Sequence, residues 1–233
     1  MQGQHGAGHR PHPDRAAENL SHDMVGLSGV ETLMQLILIR HGIAEDRAEF
    51  AATGNPDSER PLTKQGQWKM ERLAGGLRRA VPALDVLGSS PFRRAEQTAR
   101  IVSRAFHDIQ VTTVPALAPT GPADNVLKWL KHHLAATTVA IVGHEPQLGE
   151  LTTWLVTGTA SSGVEFRKGG ACLVEFKGRA SAGSGRLQWM LTPALLRDWP
   201  TDRRAGGAIA NRRRRNATVT SRVLGRPQRG SGA

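Results

Sequence analysis

Two histidines in this chain occupy the same kind of position, directly after an aliphatic run that ends abruptly. One run is Leu36-Ile-Leu-Ile-Arg40-His41-Gly42 and the other Thr138-Val-Ala-Ile-Val-Gly143-His144. Between them lies Ser89-Ser-Pro-Phe-Arg-Arg94-Ala95, which brings two adjacent arginines to the start of a helical pattern. A neutral imidazole is a nucleophile or base at physiological pH. Guanidinium forks match phosphoryl oxygens bidentately and stay charged. Arg94 falls in the first helical turn, where free backbone N–H groups and the helix dipole favour an anion. The combination suits a phosphoryl group. Two histidines with nearby carboxylates would also suit zinc, but guanidinium groups packed beside them would repel a cation. No metal and no other cofactor is expected.

Bringing these residues together requires a particular scaffold. Four aliphatics in a row with no polar alternation predict a strand covered on both faces, as in a parallel sheet flanked by helices. Ligands of such sheets bind beyond the carboxyl ends of the strands. The spacing predicts a helix over residues 64–79 capped by Thr63, a short strand over 85–91 and a helix over 92–106. A strand follows over 111–114, a helix over 124–134, the strand ending at His144, and a helix over 148–155. Two further strands, 171–176 and 186–191, flank a Gly/Ser turn and predict an antiparallel hairpin. The expected fold is α/β: a three-layer α/β/α sandwich with a mostly parallel central sheet and a C-terminal antiparallel hairpin. If the three strands are parallel, their histidine and arginine junctions share one edge. Gly42, lacking a side chain, would let a ligand approach the backbone there.

The ends of the chain read differently. Residues 1–33 are rich in His, Gly and Pro without sustained periodicity, and are expected to be a disordered leader; Met34 is an equally good start of translation. Residues 201–233 hold nine arginines and one acid, which is +8 of the formal net charge of +11, and are expected to be a basic disordered tail. The folded domain is thus expected over 34–200. Because the charge is concentrated in the tail, it is a weak argument for a nucleic-acid partner. No apolar stretch approaches the roughly 20 residues needed to cross a bilayer, and the first 33 residues lack a secretory signal's hydrophobic segment. The single cysteine, Cys172, forms no internal disulfide. A cytoplasmic protein without a membrane partner is expected.

Arg40-His41-Gly42, the segment Ser90-Pro91-x-x-Arg94-Ala95-x-Gln97-Thr98 and Gly143-His144 together resemble the signature set of the histidine phosphatase superfamily, the phosphoglycerate mutase-like fold. Arg60-Pro-Leu-Thr63-x-x-Gly66 and the late Trp189-Met-Leu-Thr-Pro193 resemble its SixA-type phosphohistidine phosphatases. The resemblance covers about residues 34 to 195. It implies that His41 is the nucleophile and is transiently phosphorylated, that Arg40, Arg94 and His144 hold the phosphoryl oxygens, and that Gly42 and Arg60 add substrate contacts. Neighbouring positive charge should keep His41 neutral for attack.

The departures carry information. Many members place an asparagine shortly after Arg-His-Gly, where this chain reads Ile43-Ala-Glu-Asp46. Mutase-like branches protonate the leaving group with a mid-chain glutamate, and residues 116–124 contain none. Glu45, Asp46 and Asp124 are the remaining candidates. A phosphohistidine with a protonated ring leaves as neutral imidazole and needs less help than an alkoxide. The stretch between residues 114 and 138 has room for one helix and no lid, so the pocket should be open. Small-metabolite enzymes generally close over their substrates, whereas a histidine on a protein requires an uncovered site. The expected substrate is a phosphorylated protein, such as a histidine phosphotransfer domain. The alternatives are a broad phosphomonoesterase using the same residues, and a docking protein without turnover. The partner's identity and the oligomeric state stay open.

Overall fold

In the computed structural model the described residues are 33–159, 161 and 163–200. The expected leader and tail, apart from Leu33, lie outside them. The aliphatic run forms β1 (Leu33–Arg40), which begins one residue before the expected boundary at 34. Its neighbours are β4 (Thr138–Gly143) on one side and β5 (Ala171–Lys177) on the other. With β2 (Val86–Ser89), β3 (Val111–Thr113) and β6 (Arg186–Leu191), the sheet has the order β3-β2-β4-β1-β5-β6. The β1–β4, β2–β4 and β2–β3 pairs are parallel; β5 runs antiparallel to β1, and β6 to β5. This is the mostly parallel sheet with a terminal hairpin that the sequence predicts.

Helices cover both faces, which explains why the central strands carry no polar alternation. Ile37 and Ile39 pack with Met70, Leu73, Ala99 and Val102 on one side, against α2 (Lys64–Ala80) and α3 (Arg93–Ala105). Leu36 and Leu38 pack with Val126, Leu148, Leu151 and Phe166 on the other, against α4 (Ala123–Lys131) and α5 (Gln147–Thr157). Cys172 is buried in this second layer, and burial pushes its thiol up to about 12. Thr63 caps α2 as expected, its Oγ1 accepting from Gly66 N at 2.8 Å.

The polar loop after β1 contains more order than its composition suggests. A short helix, α1 (Arg47–Ala51), is capped by Asp46, whose Oδ1 accepts from the Ala48 and Glu49 amides. A 3-10 turn follows at Asp57–Glu59. At the other end Thr192 and Pro193 start α6 (Pro193–Arg197), which packs on α2. Gly76 makes that contact possible, since a Cβ there would lie 1.7 Å from the Leu196 carbonyl oxygen. Between β3 and β4 stand a 3-10 turn, Pro115–Leu117, and α4. Among the described residues, no helix is long and apolar enough to cross a membrane.

Candidate active site

The parallel ladder sets the position of both histidines. Arg40 pairs with Gly143, and the His41 amide donates to the Gly143 carbonyl, so His41 and His144 leave neighbouring strands at the same level. Their ring centroids are 4.9 Å apart. The β2–α3 junction closes the third side: the Ser90 amide donates to the Val142 carbonyl, and Arg94 projects from the second position of α3. His41, Arg94 and His144 are 7%, 2% and 2% exposed, so the side chains are buried and His41 keeps the largest exposed edge of the three.

The tautomer of His41 follows from its contacts. Its Nδ1 lies 2.7 Å from the Gly42 carbonyl oxygen, which only accepts, so Nδ1 carries the proton and Nε2 keeps its lone pair. Arg94 Nε stands 3.2 Å from that Nε2 and donates to it. A guanidinium therefore occupies the place a metal ion would take on this nitrogen. Burial, opposed by the Gly42 hydrogen bond and reinforced by Arg94, Arg40 and Lys168, lowers the His41 pKa from 6.5 to about 3. Burial likewise lowers His144 to about 2, with His41, Arg94 and Arg40 acting in the same direction and Asp57 opposing. Both rings are neutral at physiological pH.

Two buried nitrogens beside this pair, Arg40 Nε and His144 Nδ1, have no hydrogen-bond partner among the described residues. Such orphans are costly in a protein interior. An oxyanion would satisfy Arg40 Nε, which only donates, and also His144 Nδ1 in the tautomer that carries its proton there, with Ser90 Oγ donating to Nε2. The other nitrogen of His144 is held by Ser90 Oγ at 2.8 Å, and Phe92 lies edge-on to the His144 ring while carrying the Arg94 guanidinium 4.9 Å from its own ring centre. Arg40 reaches the Phe166 carbonyl, and the Phe166 amide donates to Glu145 Oε1 at 3.0 Å. The Glu145 carboxyl is raised by burial above the usual range.

Arg94 is oriented by a residue the sequence reading did not single out. Asp57 Oδ2 is 3.1 Å from Arg94 Nη2, the Asp57 carbonyl accepts from Arg94 Nη1 at 2.8 Å, and Oδ1 accepts from Arg60 Nε at 2.7 Å. Burial alone would raise this carboxyl, but Arg60 and Arg94 hold it below the ordinary range. The available signal was the carboxylate three residues before Arg60. Arg60 itself is buried and donates to the Glu45 carbonyl; it connects to the cluster through Asp57 and does not touch His41. Thr98 belongs to the same support: its Oγ1 accepts from the Gly42 amide at 3.1 Å and donates to the Arg94 carbonyl at 2.8 Å.

The structure also places the other candidate residues. A Cβ on Gly42 would lie 2.6 Å from Met70 Cγ, so the missing side chain lets α2 pack close, and the glycine also borders the adjoining cavity. Asp46 is engaged as the cap of α1, and Asp124 is exposed in the first turn of α4. Glu45 is exposed, and the Arg60 contact at this position uses its backbone carbonyl. Arg93 points to solvent, leaving Arg94 as the arginine of the cluster.

Comparison with known proteins points to one family. The family model of the histidine phosphatase superfamily (branch 1) matches residues 36–119. An uncharacterised protein of Picosynechococcus sp. is 34% identical over 139 residues, covering 59% of this chain and 82% of that protein. The phosphohistidine phosphatase SixA of Escherichia coli is 28% identical over 167 residues, covering 70% of this chain and 97% of SixA. A solved structure of the protein histidine phosphatase SixA complexed with tungstate matches with a TM-score of 0.58 at 27% identity, covering 70% of this chain and 99% of that one.

Proposed function

Because the chain belongs to the histidine phosphatase superfamily, we propose that it hydrolyses protein-bound phosphohistidine through a phosphorylated His41. The observation that carries this reading is the neutral, buried Nε2 of His41 with Arg94 beside it and the unpartnered nitrogens of Arg40 and His144 close by. As the phosphoryl group enters, Arg94 Nε turns its N–H from Nε2 to a phosphoryl oxygen; the freed lone pair attacks phosphorus, and the bond from phosphorus to the substrate nitrogen breaks with its electron pair leaving on the substrate ring. The Nδ1 proton stays on His41, held by the Gly42 carbonyl, so the phosphorylated ring is cationic and a good leaving group for the second step. Water then attacks phosphorus, loses a proton to solvent, and releases phosphate and neutral His41. Charge spreading over the equatorial oxygens meets Arg40, Arg94 and His144, whose contribution is electrostatic and preorganised.

The leaving group decides the substrate class. Asp57 is ion-paired to the cluster and two guanidiniums keep it ionised at neutral pH, which makes it a poor proton donor, while the Glu145 carboxyl, raised by burial, is engaged in holding the Phe166 amide. A phosphoramidate with a protonated ring leaves without one. The similarity to SixA, a phosphohistidine phosphatase also solved with an oxyanion of phosphate's shape, supports the same choice. A cytoplasmic location and a phosphotransfer domain as the donor protein complete the proposal. The test is to incubate the chain with a 32P-phosphohistidine protein and, in parallel, with aryl and sugar phosphates. Wild type should release phosphate fastest from the protein and yield an acid-labile, base-stable adduct on His41, while His41→Ala should yield neither. Full activity in His41→Ala, or much faster turnover of sugar phosphates, would overturn the assignment.

A further inference from the structure

A cavity of about 590 Å³ adjoins the catalytic cluster without including His41; Arg40 and Gly42, its neighbours in the chain, both line it. This volume falls within the roughly 300–1,000 Å³ usual for ligand pockets. Its floor is apolar, with Met70 and Leu73 of α2 on one side and Pro193 on the other. Its rim is cationic: Lys69, Arg72, Arg167 and Lys168 face one acid, Glu165, while Arg197 is paired with Asp198 at 2.8 Å. Lys69, Arg167 and Lys168 make no ion pair among the described residues, and Arg72 lies over the ring of Trp68, which is 54% exposed at the edge of the cavity. The field of Lys168 reaches His41, so the rim and the reacting nitrogen lie within electrostatic range.

Surplus positive charge around an apolar floor specifies its occupant. An inorganic anion would use the rim and leave the floor empty, and an apolar peptide would leave unpaired cations around it. An exposed aromatic beside arginine is the kind of contact that anchors protein partners. The tail of this chain is excluded as occupant by its own charge. We propose that this groove docks an acidic segment with an apolar anchor from the phosphoprotein substrate, so that a phosphohistidine beside that segment is presented to His41. The identity of the partner rests on the function proposed above.

The test separates docking from turnover. A fluorescein-labelled, unphosphorylated peptide with four Asp/Glu residues around a Leu is titrated into the full chain and followed by anisotropy, alongside a peptide of the same sequence with Lys for each acid. The acidic peptide should bind, weaken about tenfold as salt rises from 50 to 500 mM through screening, and lose at least tenfold in affinity on the double variant Lys69→Glu/Arg72→Glu. That variant should gain affinity for the Lys peptide, an exchange that a misfolded chain would not give. Lys128→Glu/Lys131→Glu on α4 should bind as wild type. Equal affinity for both peptides, or an unchanged affinity in the charge-reversed variant, would overturn the proposal. So would a single-stranded RNA that displaces the peptide at lower concentration, or a dimer that the double variant dissociates. Raised affinity after neutralising Asp14, Glu18, Asp23 and Glu31 in the full chain would identify the leader as the occupant and equally overturn it. Phosphohistidine turnover is measured independently, so failure of the groove and failure of the assigned reaction are distinguishable.

Discussion

Replacing His41 by Gln should make the protein less sensitive to acid while abolishing its chemistry. The folded His41 has a pKa of about 3 against 6.5 when exposed. Between these values the unfolded chain binds a proton that the folded chain refuses, so stability falls as pH drops through 6.5 and continues to fall until the folded group protonates. At pH 5.0 the unfolded imidazole is almost fully charged and the folded one is neutral, which costs about 2 kcal/mol relative to pH 7.5. His144, lowered to about 2, adds a similar amount. Urea unfolding at pH 7.5 and 5.0 measures the loss in each protein. Carboxylates and exposed histidines contribute equally to wild type and variant, so the difference of differences isolates one ring. The loss should be smaller by about 2 kcal/mol in His41→Gln, and the same in His144→Gln. Equal losses in wild type and His41→Gln would refute the claim that burial holds the nucleophile neutral.

Other substitutions probe the support of the cluster. Asp57→Asn removes the ion pair to Arg94 while keeping the side-chain volume, and should lower kcat/KM by about tenfold or more, with the effect largely absent when Arg94 is already Ala; steady-state kinetics of the four proteins decide this. Glu145→Ala releases the Phe166 loop that Arg40 depends on and should lower kcat/KM by about tenfold, whereas Glu145→Gln keeps the acceptor and should stay close to wild type. A loss in Gln as deep as in Ala would instead mark Glu145 as a proton donor. Gly42→Ala drives a methyl into Met70 and should cost about 1–3 kcal/mol of stability, part of it recovered by Met70→Ala in the same chain, as thermal melts would report.

The sheet and the reacting residues were legible for one physical reason. Strands buried on both faces appear in sequence as aliphatic runs, so the polar residues that end them stand out; His41 and His144 were found at such ends, Arg94 at the start of a helical pattern, and the three are brought together. Asp57 was not legible, because it lies in a polar loop without periodicity and acquires its role from a contact with Arg94, 37 residues on. The link from Glu145 to Phe166 spans 21 residues and likewise leaves no local trace. Thr98 belongs to the segment that carries the resemblance, but nothing in its spacing reveals that its buried hydroxyl ties Gly42 to Arg94. At Gly42 the residue type was informative and its reason was not, since a missing Cβ admits a helix as readily as a ligand. The cationic groove joins residues of α2, the 165–168 segment and α6, none of which is unusual when read along the chain.

The β1–β4 ladder has a consequence beyond this chain. Adjacent strands lie about 4.8 Å apart, and the two imidazole centres are 4.9 Å apart. The ladder thus fixes the spacing of the two backbones, while the Gly42 carbonyl and the Ser90 hydroxyl set how each ring is turned. Any two neighbouring parallel strands supply the same jig, which makes a pair of histidines one step past matched positions a ready starting point for building phosphoryl chemistry into an unrelated sheet.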